Sequence, residues 1–107
     1  MSTMLAIDSE NRIYKTGLKI DYTPSLINFN EELLPKESDK MLACSERQYI
    51  VLDKTNHKIH ATKGVFANKS ATQHEGFFVY DTKELFDGGV PSQLSMKYDC
   101  FGAIVHH

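Results

Sequence analysis

The 107-residue chain has the length and composition of one small globular domain. Hydrophobic residues make up 41% and charged residues 24%, which resembles neither a disordered polar chain nor a membrane protein with long apolar segments. Twelve basic and fourteen acidic side chains give a net charge of −2. Because nucleic-acid-binding domains usually carry a basic surface, we expect no direct contact with nucleic acid, and we expect no membrane association.

Nine short segments are predicted as β-strands, because they are rich in β-branched and aromatic residues and are separated by polar turn residues. In chain order they are 3–8, 12–16, 25–29, 40–45, 48–53, 58–62, 76–80, 92–97 and 101–105. Residues 30–40 are predicted as a loop with a single turn, because Pro35 interrupts this helix candidate and its apolar residues lack the helical period. Another turn is expected at 82–86, before the Gly-Gly-Val-Pro segment at 88–91. The pattern indicates an all-β chain.

The sequence also contains an internal repeat. The repeated unit is a hairpin in which an apolar strand ends in Asp, a polar turn reverses the chain, and a second strand alternates apolar and polar residues. The matched segments are 4–11 with 49–56 at an offset of 45, 12–16 with 58–62 at an offset of 46 after the extra residue His57, and 41–52 with 94–105 at an offset of 53. These matches divide the chain into partial repeats at 1–39, 40–91 and 92–107.

This hairpin unit resembles, in a degenerate and partial form, the repeat of the regulator of chromosome condensation family. In the matched copies the first strand ends at Asp8 or Asp53, and the second strand leads to Gly17 or Gly64. The resemblance implies a β-propeller of four-stranded blades, whose repeats span about 50 residues. Members of the family act as nucleotide-exchange factors for small GTPases, as recognition domains of ubiquitin ligases, or as scaffolds in ciliary and chromatin assemblies.

A closed propeller has typically four to eight blades, whereas this chain holds material for about two. Open sheet edges need to be paired or covered. We therefore expect antiparallel hairpin repeats that form about two blades of a β-propeller, either as a fragment of a larger propeller or as a chain whose ring other chains complete. The alternative is a small, self-contained β-sandwich that binds a ligand or forms a homo-oligomer.

The resulting functional hypothesis is a non-enzymatic protein–protein interaction scaffold, part of a propeller-like regulator or assembly subunit. Its partners would be a protein or other chains that complete the sheet edges. Residues 67–76 interrupt the repeat as an insertion, and aromatic residues follow it. Because aromatic side chains dominate interface hot spots, the candidate partner contacts are Phe77, Phe78, Tyr80 and Phe86. The competing interpretation is that Phe78 and Tyr80 alternate inward as part of an ordinary outer strand.

No catalytic, metal or cofactor site is expected. His57 and His60 are three residues apart, and on a strand this spacing directs the two side chains to opposite faces. His74 lies in the polar insertion and is predicted to be a solvated loop residue. Cys44 and Cys100 belong to the repeated strands or their turns. A thiol-dependent enzyme is a third hypothesis, which requires that the pKa of one cysteine be lowered.

No secretory signal is expected in the N-terminal segment. Residues 1–11 contain a short apolar stretch without a basic segment before it, so we expect an intracellular protein, cytoplasmic or nuclear, with reduced cysteines. Gly88 and Gly89 precede Val and Pro rather than Lys and Ser or Thr, so the pair does not match a phosphate-binding loop. His106 and His107 fit the start of a purification tag and take no part in the functional hypothesis.

Overall fold

The computed structural model describes residues 3–17, 24–46, 48–62, 71–74, 76–98 and 100–107. Within these ranges the chain forms ten strands and one short helix, and every strand pair is antiparallel. The elements are β1 (Thr3–Ile7), β2 (Ile13–Gly17), β3 (Ser25–Leu26), β4 (Lys40–Cys44), β5 (Tyr49–Asp53), β6 (Lys58–Ala61), β7 (Thr72–His74), β8 (Phe77–Asp81), α1 (Thr82–Leu85), β9 (Val90–Lys97) and β10 (Cys100–His106). The all-β prediction is confirmed.

The strands form three separate sheets. The N-terminal sheet has the order β1-β2-β3, the central sheet has the order β4-β5-β6-β8-β7, and β9 and β10 form the C-terminal hairpin. None of the three sheets closes on itself within the part of the chain that the structure describes. That part also contains no helix with the length and apolar character needed to cross a bilayer.

The two hairpins matched in the sequence, β1–β2 and β5–β6, have related turns. The Asp8 carboxylate accepts hydrogen bonds from the backbone N–H groups two and four residues later, at 2.9 Å each. The Asp53 carboxylate accepts them from the N–H groups two and three residues later, at 3.1 and 3.0 Å. Asn11 and His57 have positive φ angles of 60° and 58°. The extra residue His57 thus adopts the left-handed conformation in the longer turn.

The central sheet is covered on both faces, which explains why all five residues of β5 are buried. One face carries Ile50 and Leu52 and packs against the C-terminal hairpin and α1. The other face carries Val51, which packs with Ile13 of the N-terminal sheet and with Leu34 of the loop that follows β3. The molecule is therefore a stack of three sheets, with the largest in the middle.

The two outer layers each have one covered and one open face. In the N-terminal sheet, Met4 and Leu26 lie on the side opposite Ile13, with exposures of 59% and 46%. In the C-terminal hairpin, Val90 and Ile104 point away from the central sheet, with exposures of 49% and 51%. We call these two surfaces the open end faces. They leave apolar side chains in solvent at both ends of the stack.

The turns of the central sheet and of the C-terminal hairpin are joined by a hydrogen bond. The Ser45 hydroxyl donates to the backbone oxygen of Tyr98 at 2.6 Å. These two residues occupy matched positions at the offset of 53. β4 also lies beside β9, so corresponding strands of the two layers are neighbours in the stack.

Most predicted boundaries agree with the structure to within a few residues, and two predictions need correction. Part of the predicted insertion, Thr72–His74, is a strand that pairs with β8, whereas residues 67–70 lie outside the described ranges. The predicted break at 88–91 ends earlier, because β9 begins at Val90 and includes Pro91. A proline is tolerated there because, among the described strands, β9 pairs only with β10.

The two predicted turns are confirmed. The loop at 30–40 contains a turn in which the Leu34 N–H donates to the backbone oxygen of Asn30 at 2.9 Å. The segment at 82–86 contains α1, which begins after the capping residue Asp81. The Asp81 carboxylate accepts a hydrogen bond from the Lys83 N–H at 2.9 Å. Both segments border the same groove.

Candidate functional site

A groove of about 470 Å³ lies between the loop after β3 and the outer strands of the central sheet. The loop contributes Glu32 and Leu33, and the sheet contributes Lys58, His74 and Asp81. Glu84 of α1 also lines it. We call this concavity the outer groove. It combines an apolar wall with charged side chains, as ligand sites commonly do.

The strand register places the side chains of the outer groove on one face of the central sheet. Lys58 lies opposite Asp81, His60 lies opposite Val79, and His74 lies opposite Phe77. Because side chains alternate along a strand, these residues share the face that looks toward the N-terminal sheet. The groove runs along this face of the central sheet and extends to its edge, where Ala71, Tyr80 and Glu84 also line it.

The charges in the outer groove are predominantly negative. The Lys58 ammonium is 3.5 Å from the Asp81 carboxylate, and both side chains are about 40% exposed. The pKa of Asp81 is lowered, first by the hydrogen bond from the Lys83 N–H and to a smaller extent by Lys58. Glu32 and Glu84 are exposed, and neither forms an ion pair with another described residue. The described lining of the groove therefore carries one ammonium and three carboxylates.

A small crevice adjoins the outer groove and contains a buried histidine. The crevice has a volume of about 10 Å³, near the lower limit for one water molecule, and it shares Leu33 and His74 with the groove. His60 lines it and is 2% exposed. The Nε2 atom of His60 has no hydrogen-bond partner among the described residues. Burial lowers the pKa of His60 to about 4, so its ring is neutral at physiological pH.

Aromatic rings surround this histidine and link two layers of the stack. The Phe29 ring lies 6.1 Å from the His60 ring in an edge-to-face arrangement and 4.8 Å from the Phe77 ring, measured between centroids. Phe77 also contacts Tyr49 at 6.0 Å. Burial raises the pKa of Tyr49. These contacts fix the loop after β3 against the central sheet and so define the inner end of the groove.

The four aromatic residues proposed from the sequence as partner contacts do not lie on one surface. Phe77 joins the ring cluster beside His60. Phe78 and Tyr80 point to the opposite face of β8, where both pack in the core, and Tyr80 is only 2% exposed. Phe86 packs against the same core at the end of α1. Phe78 and Tyr80 thus alternate inward, as in the competing interpretation.

The histidines and cysteines singled out in the sequence are dispersed. His57 lies in a turn and His60 in a strand, and no group of three His, Cys, Asp or Glu side chains within the described ranges is able to hold a metal ion. His74 was predicted in a solvated loop, but this is wrong because it belongs to β7 and is half-buried. Cys44 is half-buried, Cys100 is exposed, and neither forms a disulfide.

No sequence pattern marks Lys58, Asp81, Glu32 and Glu84 as a site. They come from three separate segments that meet only when the sheets stack. In the sequence, Lys58 and Asp81 lie at strand ends next to turns. Charged residues are common at such positions in any hairpin, so this placement does not indicate a site. No family model matches the chain, and no curated protein or solved structure shows significant similarity to it.

Proposed function

We propose that the chain is a non-enzymatic protein–protein interaction scaffold, built as part of a β-propeller whose open end faces dock against further sheets. In a propeller, each blade packs both faces against its neighbours around a ring. The central sheet is compatible with this arrangement, since it packs on both faces and contains four neighbouring antiparallel strands, β4-β5-β6-β8, with β7 added at the edge. The N-terminal sheet and the C-terminal hairpin correspond to parts of the adjacent blades. The repeat's resemblance to the regulator of chromosome condensation family supports the same arrangement.

Burial differs between the middle and the two ends of the stack, and this contrast is the main support for the proposal. Ile50 and Val51 in the central sheet are completely buried, whereas Met4 and Ile104 on the open end faces are more than half exposed. Exposed apolar surface on a folded sheet is typical of interaction sites. A protein partner, or other copies of the chain, would cover these faces as the outer layers cover the central sheet. Cys44 and Cys100 form no disulfide, which suits an intracellular location.

The test is the mass of the chain in solution, measured by light scattering over a concentration series. We expect a defined oligomer, or self-association that an added partner relieves. The substitutions Met4→Glu and Ile104→Glu should reduce the mass to that of a monomer while the circular dichroism spectrum stays unchanged. The matched control is Glu10→Gln, a change at an exposed position away from both faces. A wild-type monomer at all concentrations, with one sharp unfolding transition, would instead indicate a self-contained β domain.

A further inference from the structure

We propose that the outer groove binds a basic, partly apolar peptide segment of a partner protein. The cationic side chains of the peptide would lie against Glu32 and Glu84, and one of its polar groups would form a hydrogen bond with His60. This site is separate from the open end faces. An experiment is therefore able to refute the peptide site and leave the proposal on the open end faces standing, or the reverse.

Charge complementarity selects a basic occupant. Among the described residues that line the groove, Lys58 alone carries an ammonium; it lies beside Asp81, whose carboxylate also caps α1. Glu32 and Glu84 lack such partners within the described ranges. A Lys or Arg side chain would satisfy them, whereas an acidic peptide would be repelled.

The size and the lining of the groove favour a peptide segment with apolar residues. Its volume of about 470 Å³ lies within the range of sites that bind small ligands. Leu33 and Pro35 provide apolar surface on the loop side of the groove, and Val79 provides it on the sheet side. Apolar side chains of the peptide would pack there, while its cationic side chains reach the carboxylates at the rim.

The buried His60 supports the proposal independently of the charges in the groove. Buried polar atoms in folded proteins nearly always have a hydrogen-bond partner, but the Nε2 of His60 has none among the described residues. The crevice that holds it adjoins the outer groove through Leu33 and His74. A peptide carbonyl or amide that enters past His74 would supply the missing hydrogen bond, since a neutral imidazole nitrogen acts as donor or acceptor according to its tautomer.

The experiment is a titration of the full chain, followed by NMR, with the acetylated and amidated peptide Ala-Arg-Leu-Arg-Leu. We expect saturable shifts at the amides of His74 and Glu84, and no such shifts with the peptide in which Glu replaces both Arg residues. The double substitution Glu32→Gln and Glu84→Gln should weaken binding at least about fivefold in low salt, since each exposed ion pair gives a modest gain. His60→Leu should also weaken binding while leaving the charge dependence intact.

The matched control is Glu10→Gln with Glu37→Gln, which removes the same charge away from the groove and should leave binding unchanged. The proposal is overturned if the basic peptide does not bind at about 5 mM, if both peptides bind equally, or if the groove and control variants weaken binding to the same extent. Light scattering of the groove variants separates the two proposals, because their mass should equal that of the wild type.

Discussion

The buried His60 makes the stability of the chain depend on pH in a range where carboxylates contribute little. Its pKa is about 4 in the folded chain against 6.5 in its ordinary state, mainly because burial disfavours the imidazolium. Asp53 favours the charged ring, but burial outweighs its effect, and His74 and Lys58 lower the pKa of His60 further. The unfolded chain therefore binds the proton more readily between pH 6.5 and about 4.

The size of the effect follows from this pKa difference. The stability is fully present above the unfolded-state pKa of 6.5 and is lost as the pH falls toward 4. One pKa unit corresponds to about 1.4 kcal/mol, so the complete loss is about 3 kcal/mol. Between pH 7 and pH 5 the loss is about 2 kcal/mol, because the proton uptake of unfolding acts over about 1.5 pH units. This is a large fraction of the stability of a small domain.

The assay is urea unfolding of the wild type and of His60→Leu at pH 7 and at pH 5. We expect the wild type to lose about 2 kcal/mol more than the variant on acidification. At pH 7 the variant should be at least as stable as the wild type, because it removes a buried polar atom that has no partner among the described residues. His106→Gln, at an exposed position of β10, is the control and should keep the wild-type dependence. Equal losses in wild type and His60→Leu would refute the reasoning.

Four further substitutions test the turns and the packing. Asp53→Ala should lower the free energy of unfolding by about 1 to 3 kcal/mol in urea, because the buried Asp53 carboxylate holds the β5–β6 turn. Asp8→Ala should lower it less, because Asp8 is less buried. Equal losses for the two substitutions would contradict this reasoning. Gly89→Ala should lower the stability by about 1 to 3 kcal/mol, because the added methyl would collide with Val105; an unchanged melting temperature would contradict this. Ile59→Ala should lower the free energy of unfolding by about 2 to 5 kcal/mol, because it leaves a cavity in the core. A loss below about 1 kcal/mol would show that neighbouring side chains move in to fill this cavity.

Strand content was predictable from the sequence because it depends on local patterns. Each of the nine predicted segments overlaps an observed strand, since β-branched and aromatic runs bounded by polar turns carry the signal. The strand at Thr72–His74 was missed because its three residues are polar and show no apolar alternation. It forms through pairing with β8, which is a tertiary interaction that no local pattern records.

The candidate site was not predictable for a related reason. The segment Tyr49–Asp53 is apolar at nearly every position, so a period of two does not reveal which side chains face which layer. The burial of His60 on β6 depends on the layer that covers this face, and that layer includes Phe29 from a loop thirty residues earlier. Residues that meet only through such stacking have no common spacing in the sequence.

The position of the central sheet also bears on how the molecule opens and folds. Its strands come from one continuous segment, residues 40–81, and successive strands mostly pair with each other. Such local pairing favours rapid folding. The outer layers depend on this sheet for one covered face each, so they are able to detach as separate cooperative units. In hydrogen exchange, the amides of β5 should therefore open only with the whole molecule, whereas those of β1 and β10 should exchange through partial opening that leaves the middle of the stack intact.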